Sequence, residues 1–315
     1  MPIVQFVIFF LLLITGFFCK KYNVLTDAAV NALNKFIILV GYPCLILGRT
    51  AALNIDHGIF INFLLSLFIN IGLIFVFALY AWICCRGKRF PVEDKPVAEF
   101  AIMSSNNGFM GFPIALAFYG DLGLLYMIGT NIALNTVFFT YGVRLLGRGN
   151  EIPSEPFSKK LLKFLLMLAH PKLSAAFVGI ILCYNYVVLP DIVMEYLHTV
   201  GSIAPPLAMI SIGTMLAGGF GISTFKKRTV MEPAIHNLFV APAISAAIVW
   251  FLPIDPLLKT VIIVSNAMPV ATMVPIFTEQ YGLNKGYAVE TIVITTLFSM
   301  ISIPLVIWTL SVLGL

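Results

Sequence analysis

Residues 104–120 read SSNNGFMGFPIALAFYG. The run is apolar enough to lie inside a bilayer, yet its middle makes a poor continuous helix. Asn106 and Asn107 place two carboxamides there, Gly108 and Gly111 loosen the backbone, and Pro113 lacks an N–H and crowds the preceding turn. In lipid an interrupted helix is tolerated only where protein or a wet cavity satisfies the freed backbone groups. A second stretch of this kind holds Ser265, Asn266, Ala267, Met268 and Pro269, followed by Thr272, Pro275, Tyr281 and Gly282. Two interrupted membrane helices in corresponding halves of a chain point to a transporter's binding site.

Composition sets the solvent. The 315 residues are 60% hydrophobic and 10% charged, with a mean hydropathy of +1.00. A soluble domain carries roughly 25% charged residues, so the expected surroundings are lipid. The net charge of +5 comes from short basic loops, with no Lys/Arg stripe suited to nucleic acid. Cys19, Cys44, Cys84, Cys85 and Cys183 lie in or beside apolar runs without metal-site spacing, so no metal centre and no disulfide framework is expected. Met1–Phe18 is apolar, with no basic residue ahead of it and Lys20 and Lys21 behind it. That order fits a retained helix entering from outside rather than a cleaved signal.

Spans of about 20 apolar residues are expected near 3–18, 30–52, 58–84, 96–119, 122–145, 171–189, 195–218, 229–252, 256–281 and 286–312. With the N-terminus outside, the inner loops hold Lys20, Lys21, Arg86, Lys88, Arg89, Arg144, Arg148, Lys159, Lys160, Lys163, Lys226, Lys227, Arg228 and Lys285. Lys35, Lys95 and Lys172 fall at inner span ends, and only Arg49 and Lys259 of the 19 basic residues lie outside. The positive-inside rule therefore puts both termini outside. The polar, proline-broken loop 146–170 reads as a linker between halves 1–145 and 171–315, each of five spans. An odd number of spans per half makes the two halves opposite in orientation.

A repeat is visible. Pro113 with Tyr119-Gly120 matches Pro275 with Tyr281-Gly282 at a shift of 162 residues (275 minus 113), and the same shift carries Pro43 onto Pro205 and Pro91 onto Pro253. The reading is an all-α membrane protein, ten helices in a 5+5 inverted repeat with spans four and nine broken. Each second half-helix would start near mid-membrane, where its N-terminus carries about half a positive charge and unpaired N–H groups. Such ends favour an anion, commonly a carboxylate. Asn106, Asn107, Ser265, Asn266 and Thr272 could orient it, or these groups could satisfy one another and the broken backbone. Pro43 and Pro205, with Pro206, are either matched hinges or ordinary kinks.

Asn131 and Asn135 share a helix face, and extend the polar path or bond between helices, and Asn62 and Asn70, eight apart, read the same way. Glu99 and Glu290 lie about one turn inside their spans, where a carboxylate reaches the interface; placed deeper, either becomes a coupling site for a proton. His57, His170, His198 and His236 are scattered, and His236 with Asn237 reads as packed polar structure. No glycine-rich phosphate loop, metalloprotease pattern or nucleophile elbow is present, so neither an enzyme nor a bound cofactor is expected.

Asn107-Gly108-Phe109-Met110-Gly111-Phe112-Pro113, Ala267-Met268-Pro269-Val270-Ala271 and Glu279-Gln280-Tyr281-Gly282 give the chain a family likeness. It resembles the auxin efflux carrier family, and its Asn-Gly-Phe-x-Gly-x-Pro pattern looks like the prokaryotic branch of malate and malonate permeases, relatives of the PIN-type auxin carriers. The resemblance implies a fold similar to bile-acid symporters and sodium/proton antiporters, with spans four and nine crossing at their breaks. It implies a moving transport domain of spans 3–5 and 8–10, and a scaffold of spans 1, 2, 6 and 7 that dimerises. The site would lie near Asn106, Asn107, Gly108, Pro269 and Thr272, with Gly111, Pro113 and Pro275 shaping the breaks. The expected activity is transport of small organic anions by alternating access across the bacterial inner membrane, by rocking or elevator-like sliding. A cation-coupled carrier using a proton or sodium is the alternative. From another class comes a transporter-like sensor, which would be expected with an attached soluble signalling domain.

Overall fold

The computed structural model describes residues 2–86, 90–147, 170–217, 224 and 227–315. Among these the chain is helical and forms no strand beyond one isolated bridge. The elements are α1 (Pro2–Lys21), α2 (Asp27–Ala51), α3 (His57–Cys85), α4 (Lys95–Ile102), α5 (Asn107–Leu146), α6 (Pro171–Tyr184), α7 (Asp191–Leu216), α8 (Arg228–Trp250), α9 (Pro256–Asn266), α10 (Val274–Gln280) and α11 (Lys285–Val312). Seven of them are long and apolar enough to cross a membrane (α1, from Val4, with α2, α3, α5, α7, α8 and α11), while α6 and α9 are shorter apolar helices. The linker 146–170 falls almost wholly outside the described residues.

The faces turned outward are apolar. On α1, Val4, Val7, Ile8, Leu11, Ile14 and Phe18 are exposed at helical spacing while Leu13 is buried. In water such a stripe would drive aggregation; in a bilayer it is the lipid-facing side.

Proline acts differently from the expectation that Pro113 breaks its helix. Pro43, Pro113 and Pro242 each stand two residues after a widened, π-type turn, at Ile37–Gly41, Asn107–Gly111 and His236–Val240. Widening the turn moves the carbonyl that the pyrrolidine ring would strike, and the missing N–H falls where the ladder is already shifted. Pro205 and Pro206 lie inside α7 without interrupting it. The true chain reversal in α5 comes later, at Gly120, whose φ of 66° is left-handed. Gly282, 162 residues on (282 minus 120), has a φ of 68°.

The chain forms two compact units. The first gathers the described residues of Met1–Phe63, Phe112–Ile128 and Ser154–Gly218. Its helices meet without side chains between them: a Cβ at Gly16 would lie 2.0 Å from the Ile210 carbonyl oxygen, and one at Gly213 would lie 2.1 Å from that of Leu13. The pairing 16 with 210 and 13 with 213 makes α1 and α7 antiparallel. Gly201 meets the Leu45 backbone in the same manner, joining α2 to α7, while Gly179 of α6 packs against the Thr50 side chain of α2. Close backbone approach through small residues is how helices associate where lipid removes the hydrophobic drive. Arg49 Nη1 reaches Asp121 Oδ1 at 3.3 Å, tying the end of α2 to the residue after Gly120.

The second unit gathers the described residues of Leu64–Gly111, Gly129–Pro153 and Gly219–Leu315. An aromatic cluster holds part of it, with Phe100 of α4 4.7 Å from Phe138 and 5.8 Å from Phe277 of α10. Lys227 bonds both carboxylate oxygens of Glu290, and Asn284 donates to Asp94 at 2.8 Å.

Candidate functional site

The first break is an extended stretch of three residues. α4 stops at Ile102, Met103 and Ser104 turn back onto the carbonyls of Glu99 and Ala101, and helix resumes at Asn107. The second runs from Ala267 to Met273, between α9 and α10. The breaks meet inside the second unit. Ser105 and Val270 form an antiparallel bridge, and the Asn106 N–H donates to the Pro269 carbonyl at 2.7 Å. On the far side of that pairing the Val270 N–H donates to Thr295 Oγ1 at 3.2 Å. Backbone groups freed by the two interruptions thus satisfy each other, which is what a bilayer interior demands.

Asn106 does three jobs. Its carbonyl accepts from Met110 and Gly111, its Oδ1 accepts from the Phe109 N–H at 3.3 Å, and its Nδ2 is buried with no partner among the described residues. The side chain is therefore an N-cap, with one donor left over at the positive end of a helix. Asn107, fully buried, donates to Thr130 Oγ1 at 3.3 Å and accepts from Asn131 Nδ2 at 2.8 Å. Asn135 in turn donates to the Asn131 carbonyl and Oδ1. Asn266, on the last turn of α9, donates to Asn70 Oδ1 at 2.9 Å, and Asn70 donates to the Thr130 carbonyl at 3.2 Å. A line of carboxamides from α3, α5 and α9 converges on Thr130. No charged residue occurs in 103–113 or 265–276, so the local field is that of dipoles.

The other expected site residues are distributed as follows. Gly108 and Gly111 are buried in the widened turn, and Thr272 is half-buried in the turn leading to α10. Ser265 Oγ donates back to the Ile262 carbonyl, within α9 and not into the break. Pro275 opens α10. Pro43, Pro113 and Pro205 belong to the first unit. Glu290 is ion-paired with Lys227 at 2.7 Å. Glu99, expected at the interface, is only 8% exposed. Its helix ends three residues later, at the break.

Thr130 and Thr295 have no counterpart in the sequence reading and Asn237 reads there only as packed polar structure, whereas Asn70, which reads as a polar-path residue or interhelical partner, bonds Asn266 and the Thr130 carbonyl. Thr130 precedes Asn131 directly, which was a usable signal. Asn237 sits 133 residues from Ser104, to whose carbonyl it donates at 2.9 Å, and no local pattern announces it. Beside it His236 stacks on Tyr80 at 4.5 Å and meets Phe77 edge-on at 5.6 Å.

Outside the spans, His170 precedes α6, and burial, with Lys172 nearby, holds its imidazole below the ordinary histidine range.

Comparison with known proteins places this geometry. Residues 2–307 match the family described as membrane transport protein. An uncharacterized transporter of Methanocaldococcus jannaschii is 28% identical, over 98% of this chain and 99% of its own length. An uncharacterized transporter of Methanothermobacter thermautotrophicus is 26% identical over 93% of each chain. A protein of Rhizobium meliloti named "Putative malonate transporter" is 22% identical over 94% of this chain and 91% of its own. With an apolar helical body, two interrupted helices that pair at their breaks and a family match running almost end to end, the chain is an integral membrane protein that belongs to the membrane transport protein family, the auxin efflux carriers.

Proposed function

We propose that this chain moves small organic anions, carboxylates in particular, by alternating access at the pairing of its two interrupted helices. The observation that carries the reading is Asn106: a buried Nδ2 donor without a partner, on the residue that caps the helix starting at Asn107. A helix N-terminus and a free amide donor both favour negative charge. The uncharged surroundings leave the ligand to supply it. The name carried by the Rhizobium meliloti relative supports a carboxylate. A monoanion leaving a cell that is negative inside gains about 2.3 kcal/mol per 100 mV, enough to drive export without a coupled ion.

The architecture we propose is ten spans in a 5+5 inverted repeat. Three observations support it. Gly120 and Gly282 share a positive φ at the 162-residue shift. That shift also exchanges the two tight helix pairs of the first unit, since α1 moves onto α6 and α7 moves back onto α2. Apart from 57–63 and 112–128, the two units have the membership of the scaffold and transport groups that the family resemblance implies. Location in the bacterial inner membrane, both termini outside and a homodimer complete the proposal, on the charge pattern and the resemblance.

The test is purified protein in liposomes, with flux of radiolabelled malonate measured under an imposed potassium–valinomycin potential. Flux that rises with potential and falls with Asn106→Asp is expected. Flux indifferent to potential rejects uncoupled export.

A cation-coupled cycle is the second reading, and the burial of Glu99 one turn before the break favours it. In that case collapsing the pH gradient, and not the potential, stops accumulation.

A further inference from the structure

The first break owes its shape to a residue that belongs to neither break. Asn237 lies in the widened turn of α8, and α8 packs against α4 and α11. Its Nδ2 donates to the Ala101 carbonyl at 3.2 Å and to the Ser104 carbonyl at 2.9 Å. Both acceptors are carbonyls, so the orientation of the amide is fixed by what surrounds it. Ala101 provides one of the carbonyls that a terminating helix leaves over, and it also accepts from the Ser104 N–H and hydroxyl. Ser104 begins the extended stretch, where its own carbonyl has no helical ladder to join.

We propose that Asn237 is a positioning residue for the paired breaks, holding Ala101 and Ser104 so that Ser105 and Asn106 lie against Val270 and Pro269. The proposal rests on the reading of this pairing as the transport site. Asn237 is 2% exposed and its Oδ1 is buried without a partner among the described residues. A side chain kept for packing alone would not leave a buried acceptor unmet. What the amide accomplishes instead is to span two carbonyls, one on each side of the point where α4 gives way to extended chain. Movement of α8 against α4 would pull on Ser104, two residues from the capping side chain of Asn106.

Hydrogen exchange of the purified full chain, compared between wild type and Asn237→Leu, tests this without any substrate. The expected result is roughly tenfold faster exchange of the amides at 105–107, the effect of losing two interior hydrogen bonds, with α1 and α7 unchanged. In liposomes the same variant raises the KM for malonate more than it lowers kcat, and Asn237→Gln recovers part of the loss. Unchanged exchange at 105–107, or acceleration spread evenly over all helices, overturns the proposal. If Asn237→Leu does not accumulate, Asn237→Ser decides by the same criteria, since its hydroxyl is too short to bridge both carbonyls. Should wild type not transport malonate, the exchange result still judges Asn237, and only the carboxylate reading falls.

Discussion

The Asn106 N–H and the Pro269 carbonyl, 163 positions apart in sequence (269 minus 106), share a 2.7 Å hydrogen bond. That bond spends the backbone of Asn106 on structure and leaves its side chain for other work. Asn106→Asp separates the two tasks. The carboxylate keeps the cap on the Phe109 N–H, a position where acids are favoured, but has no donor. Malonate affinity measured by calorimetry should drop at least about tenfold, because a donor has become a like charge. The melting temperature should move less than for Asn106→Ala, which loses about 1 kcal/mol of cap.

The amide line predicts coupling. Asn131→Leu leaves Asn107 Oδ1 without its 2.8 Å donor. A double-mutant cycle with Asn107→Leu, read by thermal unfolding in detergent, should show an interaction of about 0.6–1.7 kcal/mol, the range for bonds between membrane helices. Additive single changes would mean that the two carboxamides do not support each other.

Helix association in the first unit should be intolerant of one methyl group. Gly16→Ala and Gly213→Ala each drive a Cβ into a backbone carbonyl, which cannot swing away as a side-chain tip can. Each should cost about 1–3 kcal/mol in unfolding experiments. Gly72→Ala on α3, where a Cβ meets nothing within 4 Å, is the matched control and should be neutral or slightly stabilising.

Gly120→Ala and Gly282→Ala should cost alike. Neither would bring its Cβ within 4 Å of another atom, so what remains is the left-handed backbone, φ 66° and 68°. A positive φ of this kind costs roughly 1–3 kcal/mol for an L residue. At Gly120, where ψ is −160°, asparagine should recover little of the loss, and unequal alanine penalties at the two sites would argue against equivalent turns.

His170 predicts a pH dependence. Its folded pKa is lowered, so the unfolded chain takes up the proton first. The contribution to stability is fully present above the ordinary value of 6.5 and is lost as pH falls from there through the folded value. The wild-type melting temperature should decline below that pH more steeply than that of His170→Asn.

Much of this structure was legible in sequence because lipid narrows the choices. Apolar runs must be helices, and a cluster such as Ser104–Asn107 inside one has to be an interruption. Pro113 misled in detail: its deficit is absorbed by widening the turn at Asn107–Gly111, and the interruption falls earlier, at 103–106. Glu99 is more enclosed than its distance from the span end suggests, because the half-helix it rides on ends at the packed break. Thr130, Thr295 and the partners of Asn237 were hidden for a simpler reason. Their bonds run to backbone or to side chains far away in sequence, and composition carries no record of which segment faces which.

The widened turns have a consequence for how these helices tolerate change. Each such turn fits one additional residue into a revolution, so everything downstream is rotated by roughly 100° relative to an uninterrupted spiral. Trading Pro113 for a residue with an N–H would let that spiral tighten and swing Asn107 round with respect to Phe112. The phase of a whole span hangs on one ring, and a compensating deletion of a single residue upstream would be the natural way back.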